Sequence, residues 1–409
     1  MHLVFDSLVL ARGRRSAIAR GGIHRYAQEL LRGLEQVDDL AIHPYCRDPL
    51  LARLARAPGG ETTATRPVTA AGGWGQARLI RLAKPLWQAL QASPPARLGH
   101  RRALGRLLAG AGSGPCVYHS PYTPVPPEVR RAGLPAVVTV HDLLPLLQPQ
   151  WFQPDSRREF ARILASLQRR DQVICVSQAS RRDFLTLVPD HPPQHVHAIP
   201  LAARGDLAPV GDRQRLLALR QRLGVGPEDL LVLALGTLEP RKNLAPLVEA
   251  FEQVAARHPQ LPLRLVIAGA QGWQTEPLLE RLRHSPARQA IQLAGHIADG
   301  ELASLYSTAT LLAYPSLHEG FGLPPLEAMA CGTPVLCADR SSLPEVVGTA
   351  ALTVDPASPV ALATGLERLL LEPGLVARLG RAGLERAARF SWGRTVEQTL
   401  AVYRRALET

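Results

Sequence analysis

Residues 318–327 read HEGFGLPPLE, with Glu319 and Glu327 on either side of a Gly-Phe-Gly turn and a Pro-Pro pair. The stretch follows a strand-like run, 310–316, and its prolines suit the start of a helix, where a missing N–H costs nothing. The spacing predicts Pro324 as the first helical residue and Glu327 in the first turn. Amides near Gly320–Leu323 would then face a crevice with the positive end of the helix dipole, a ready anion site. Glu327 is placed to accept hydrogen bonds from vicinal hydroxyls, and Glu319 to reach a group bound in front of a phosphate. The plainer alternative leaves Glu327 complementing the dipole and Glu319 as a loop charge.

Three other stretches carry chemistry. In Gly236-Thr-Leu-Glu-Pro-Arg-Lys-Asn-Leu244, Arg241 and Lys242 follow a strand and precede a helix, where two cations would neutralise a diphosphate. Lysine occurs only at positions 84 and 242 in a chain that otherwise writes arginine, so a compact ammonium is the residue kept at 242. Arg20-Gly-Gly-Ile-His-Arg-Tyr26 offers two glycines that permit close backbone approach, without the G-x-G-x-x-G spacing of a dinucleotide site. His141 and Asp142 end the apolar run Val138–Val140, the place for ligand contacts in an open parallel sheet. His119 is a second such histidine. Each stretch has a bland reading too: a basic loop, an empty glycine turn, a structural histidine.

The elements that must position these residues alternate. Strands are expected at His2–Asp6, Ala41–Cys46, Cys116–Ser120, Ala136–Val140, Gln172–Val176 and Val196–Pro200. A loop over Arg204–Arg213 links them to a second series: Leu230–Leu235, Leu263–Gly269, Ile291–Ala294, Thr310–Tyr314, Pro334–Ala338 and Ala351–Val354. Helical patterns such as His24–Leu34, Arg157–Arg170, Ala245–Arg257 and Gly300–Ser307 lie between. This argues for two doubly wound α/β domains facing a crevice. The expected boundaries are 1–205, 206–388 and a terminal helix, 389–409.

A chain of 409 residues is long for one core, which agrees. With 46% hydrophobic and 20% charged residues it is globular. Five scattered cysteines give neither metal-ligand spacing nor a disulfide framework, and point to a reducing cytoplasm. No signal peptide, membrane span, P-loop, Ser-His-Asp signature or Asp-x-Asp metal pair is read, and no cofactor is called for. The net charge of +12 invites an anionic partner, but aromatics are only 5% and no basic–aromatic interleaving marks a nucleic-acid binder. Segment 76–108 mixes arginines and Lys84 with leucines; it reads either as a basic surface on anionic lipid or as solvated helices packing on the core.

Taken together, the four stretches resemble retaining glycosyltransferases of family four, which have the GT-B fold, over residues 21–345. The Glu, seven residues, Glu pattern carries the resemblance most specifically; GTLEPRKNL, VHDL and GGIHRY resemble the bacterial mannosyltransferase branch. The resemblance implies that Glu319 contacts the donor sugar, Glu327 the ribose, and Arg241 and Lys242 the diphosphate. Gly22 would lend an amide there, and His141 would sit beside the transferred sugar. Many relatives carry Gly-Arg where this chain has Gly236-Thr237, which shifts the phosphate burden to Arg241 and Lys242. The residues implied in transfer are His141, Glu319, Lys242 and Arg241. Those implied in donor binding are Gly21, Gly22, Thr237, His318, Gly320, Phe321, Gly322, Leu323 and Glu327. The expected partners are a nucleotide sugar, with GDP-mannose favoured over UDP- or dTDP-sugars, and a glycan or polyprenyl-linked acceptor. The expected location is the cytoplasm, peripheral to the inner membrane face. An epimerase and a non-catalytic nucleotide-sugar binder are the rival readings.

Overall fold

The computed structural model describes residues 1–15, 21–48, 94–111 and 113–409. Two six-stranded sheets, parallel throughout, form its frame. The first holds β1 (His2–Asp6), β2 (Ala41–Tyr45), β3 (Cys116–Ser120), β4 (Ala136–Val140), β5 (Gln172–Cys175) and β6 (Val196–Ala198). The second holds β7 (Leu230–Leu235), β8 (Leu263–Ala268), β9 (Ile291–Gly295), β10 (Leu311–Tyr314), β11 (Val335–Ala338) and β12 (Leu352–Val354). Their orders are β2-β1-β3-β4-β5-β6 and β12-β11-β10-β7-β8-β9. The continuous apolar runs explain this arrangement. Ala136–Val140 is buried at every position, as a strand covered by helices on both faces must be. Strand order reverses between β7 and β10, which places a crevice at their carboxyl ends.

Most elements fall within two residues of expectation. The helix expected at Arg157–Arg170 instead spans Pro154–Ala165. Proline suits its first position, and the Ser166 hydroxyl donates back to the Ile163 carbonyl at 2.7 Å where the helix stops. The helix expected from Gly300 opens as a 3₁₀ turn, Asp299–Glu301, before Leu302–Thr308. Of segment 76–108, residues 76–93 lie outside the described residues, and 94–108 belong to the helix Pro94–Ala111. There Leu104 is buried in the core of the first sheet, with Leu107 and Leu108 packed against it, while Arg101, Arg102 and Arg106 are exposed.

The last helix, Trp392–Glu408, packs against the helix Gly22–Leu34 and against β3, β4 and β5 of the first sheet. Its buried Tyr403 hydroxyl lies 2.6 Å from His119 Nδ1, and His119 Nε2 lies 2.8 Å from Thr139 Oγ1. Burial pulls His119 down to about 3, so it is a neutral pin for this helix. Among the described residues no helix is long and apolar enough to cross a membrane.

Candidate functional site

Glu319 is the hub. It leaves the end of β10 through Ser316, whose hydroxyl donates to Glu319 Oε1 at 2.6 Å. Lys242 Nζ lies 2.6 Å from the same oxygen and the Tyr314 hydroxyl 2.7 Å, while Arg241 Nη1 reaches Oε2 at 2.6 Å. Arg241 Nε also pairs with Glu239 at 2.6 Å. The four charges therefore balance in a buried cluster. Burial alone would raise the Glu319 carboxyl, but Arg241, Lys242 and the Ser316 hydroxyl outweigh it and hold the group far below the usual carboxylate range. Burial, then the neighbouring Arg241, pulls Lys242 below its ordinary value, and Glu319 offsets this only in part.

The loop after β7 sets this geometry. Gly236 has φ 147°, and a Cβ there would sit 3.2 Å from Lys242 Cε, so the missing side chain leaves room for the lysine stem. A 3₁₀ turn, Pro240–Lys242, delivers both cations. Asn243 takes the left-handed conformation at φ 57° and donates to the Pro356 carbonyl at 2.6 Å, which redirects the chain into the helix Leu244–Arg257. Thr237 is exposed beside this turn.

Glu319 has an ordinary ionisation in the unfolded chain and a depressed one when folded. Its contribution to stability is therefore complete above about pH 4.3 and drains away as pH falls toward the folded value. Thermal melts of wild type and Glu319→Gln should differ most near neutrality and converge as the solution is acidified. A gap independent of pH would contradict the buried ion cluster.

The structure corrects the helix start. The helix Leu323–Ala330 begins one residue before Pro324, so Glu327 is its fifth residue, past the first turn. Glu327 is buried at 1% exposure, not presented at the helix tip. Tyr306 donates to its Oε2 at 2.9 Å, and Arg25, from the helix Gly22–Leu34 of the first domain, pairs with Oε1. Gly322, at φ 104°, caps the helix; the N–H groups of Gly320, Phe321, Gly322 and Leu323 lead into its first turn, where backbone donors lack intrahelical acceptors. Ser342 Oγ donates to the carbonyls of Glu319 and Phe321 at 2.9 and 2.7 Å, fixing the turn.

The first domain meets this turn directly. His141 lies at the end of β4, buried, with Nε2 donating to the Pro121 carbonyl at 2.9 Å and its ring edge-on to Tyr26 at 4.8 Å. Burial brings it down to about 4, so it is neutral near pH 7 with its proton on Nε2. The Ser180 hydroxyl lies 2.9 Å from the His141 carbonyl and 3.1 Å from that of Gly320, joining the domains. His318 Nε2 approaches Asp183 at 3.1 Å across the same seam. Two amides opening the helix Gln178–Leu187 donate to Glu345 at 3.1 Å each. Gly21 and Gly22 are exposed, and Gly22 stands opposite Leu323, whose Cδ1 would be 3.9 Å from a Cβ there, while a Cβ on Gly21 would meet nothing within 4 Å.

Gly320 is required by this contact, because a Cβ there would overlap the His141 carbonyl. Gly320→Ala should therefore disfavour the closed seam by about 1–3 kcal/mol. Solution scattering should show a larger radius of gyration for the variant. An unchanged radius would mean that the seam tolerates the methyl group.

The sequence reading thus finds Glu319, Lys242, Arg241, His318 and the 320–323 turn in one place, with His141 against them. It sends both cations toward a diphosphate, whereas in the structure both pair with Glu319. It misses Arg25, Tyr306, Tyr314 and Ser316. Arg25 stands inside the glycine stretch, but nothing local signals a partner 302 positions away. A cavity of about 410 Å³ lined by Phe152, Pro154 and Arg157 includes no residue of the cluster. It adjoins a second seam contact, where Trp273 donates to the Trp151 carbonyl. The charged groups gather instead in the cluster around Glu319, where the two domains meet.

Both halves of the chain match known protein families. Glycosyltransferase Family 4 matches residues 20–202, and Glycosyl transferases group 1 matches residues 217–386. O-antigen chain mannosyltransferase B of Escherichia coli is 32% identical over 289 residues, 70% of this chain and 74% of that protein. The serotype-specific mannosyltransferase WbdA of Escherichia coli is 31% identical over 67% of this chain, which spans about a third of its length (34%). Among solved structures, sucrose-phosphate synthase from Thermosynechococcus elongatus superposes with a TM-score of 0.68 at 21% identity, covering 99% of this chain and 98% of that one. WaaG, a glycosyltransferase involved in lipopolysaccharide biosynthesis, gives 0.63 at 14% identity over 93% and 95%. These likenesses share the two-sheet architecture, and the chain belongs to the family 4, group 1 glycosyltransferases of GT-B fold.

Proposed function

We propose that the chain transfers a mannosyl group from GDP-mannose to a glycan or polyprenyl-linked glycan in surface-polysaccharide synthesis. Configuration is retained and no metal ion takes part. The observation that carries this reading is the cluster at the ends of β7 and β10, where Glu319 holds Lys242 and Arg241 beside the opening turn of a helix. The mannosyl assignment is supported by the names of the relatives in Escherichia coli.

The bond between the anomeric carbon and the β-phosphate oxygen breaks while the acceptor hydroxyl forms its bond on the same face. The acceptor proton passes to the departing phosphate. Lys242 and Arg241 absorb the charge that develops on the leaving group, and the 320–323 amides add their dipoles. Glu319 orients the sugar, Glu327 the ribose, and His141, neutral, lines the sugar's far side. Closure of the seam excludes water from the glycosyl group. A lipid-linked acceptor would bring the enzyme to the inner membrane face, where Arg101, Arg102 and Arg106 meet anionic headgroups.

The test is a product assay in EDTA with GDP-mannose, UDP-glucose and dTDP-glucose against mannose-terminated acceptors. NMR of the product should show an α-linked mannoside from the α-configured donor. A β-linked product would overturn retention. Nucleotide release with no acceptor product would favour an epimerase.

A further inference from the structure

Glu327 is spoken for on both oxygens. Arg25 takes Oε1 and Tyr306 takes Oε2. Each oxygen formally keeps an acceptor site, but the side chain is only 2% exposed. A diol reaches it only by displacing a partner. Tyr306 belongs to the same domain and is fully buried. Arg25 comes from the other domain, is 21% exposed, and already has an alternative: its Nη2 lies 3.4 Å from Asp299, a carboxylate 59% exposed at the rim. Arg204 reaches the same Asp299 at 3.5 Å, so the rim site accepts a guanidinium.

We propose that Arg25 and the ribose of the nucleotide compete for Glu327, making Arg25 a positioning residue that governs nucleotide exchange. The inference rests on the reading of Glu327 as the ribose contact. Donor entry moves the guanidinium from Glu327 toward Asp299. Its return after transfer expels the nucleoside diphosphate and restores the seam. One of the pairs that join the domains is thus also the release device.

The test titrates GDP and UDP against wild type, Arg25→Met, Arg25→Lys and Glu327→Gln, reading Kd and the dissociation rate. Arg25→Met keeps the volume but leaves Glu327 buried without its ion-pair partner, held by the Tyr306 hydroxyl. It should bind the nucleoside diphosphate about tenfold more tightly, release it more slowly, and melt lower than wild type without nucleotide. Arg25→Lys should return these values toward wild type, and it serves as the reporter if the methionine variant does not fold. Glu327→Gln should bind more weakly. If Arg25→Met binds no more tightly while Glu327→Gln binds more weakly, the competition is wrong and the ribose contact stands. If Glu327→Gln binds as wild type does, the ribose contact itself is wrong.

Discussion

Lys242→Met is expected to lower kcat by about 10²–10³-fold, with a much smaller change in KM for the nucleotide sugar. Lys242 Nζ touches Glu319 and, at 2.7 Å, the Tyr314 hydroxyl, and the side chain is buried. The charge is fixed before the reaction begins, so removing it costs most where new negative charge appears, in the transition state. Methionine fills the volume and leaves the fold in place. Lys242→Arg should not rescue turnover. Nζ makes two short contacts as a point charge, 2.6 Å to Glu319 Oε1 and 2.7 Å to the Tyr314 hydroxyl, and a planar fork does not reproduce them. Steady-state kinetics with donor varied at saturating acceptor separates kcat from KM. A loss confined to KM would mean that Lys242 binds donor and transition state alike.

The second large effect is expected at two residues on opposite sides of the seam. His141→Ala and Glu319→Ala should each reduce transfer by about 10²-fold or more. They act for different reasons. Glu319 is the anion that keeps two cations buried together, so its loss leaves Lys242 and Arg241 opposed only by Glu239 and the more distant Asp142. His141 is held neutral by burial at about 4 and is already committed through Nε2 to the Pro121 carbonyl. It acts through shape and a fixed hydrogen bond, not as a base near neutral pH. The kcat/KM profile of wild type should therefore show no His141 step around pH 6.5. Near-normal turnover in both variants would remove the cluster from the reaction.

How far the sequence reveals this site follows from the range of each interaction. Apolar runs such as LLVLAL and AVVTV announce buried parallel strands because burial on both faces leaves no alternation to misread. The strand–helix alternation announces parallel sheets but not the order of their strands, and the reversal between β7 and β10 is seen only in the structure. The Glu319 turn is readable because glycines and prolines mark it locally. The position of Glu327 in its helix is not, because Leu323 enters the helix through a left-handed Gly322, and this sets the start one residue early. Partnerships across the domains are not readable at all. Arg25 with Glu327, Ser180 with Gly320, and His318 with Asp183 join residues 302, 140 and 135 positions apart, and only the packed domains bring them together. The basic helix is a further case. Its leucines and arginines suit either a lipid surface or a core edge, and Leu104 decides for the core at that position by being buried.

The most direct measurement is a thermal-shift panel of GDP, UDP, dTDP and ADP in EDTA, run on wild type and Lys242→Met. A crevice that grips a nucleoside diphosphate with fixed cations and helix amides predicts strong stabilisation of wild type by GDP that survives the chelator and shrinks in the variant. Stabilisation by UDP or dTDP instead would change the donor and keep the site. No response of wild type to any of the four nucleotides would contradict the account at its centre.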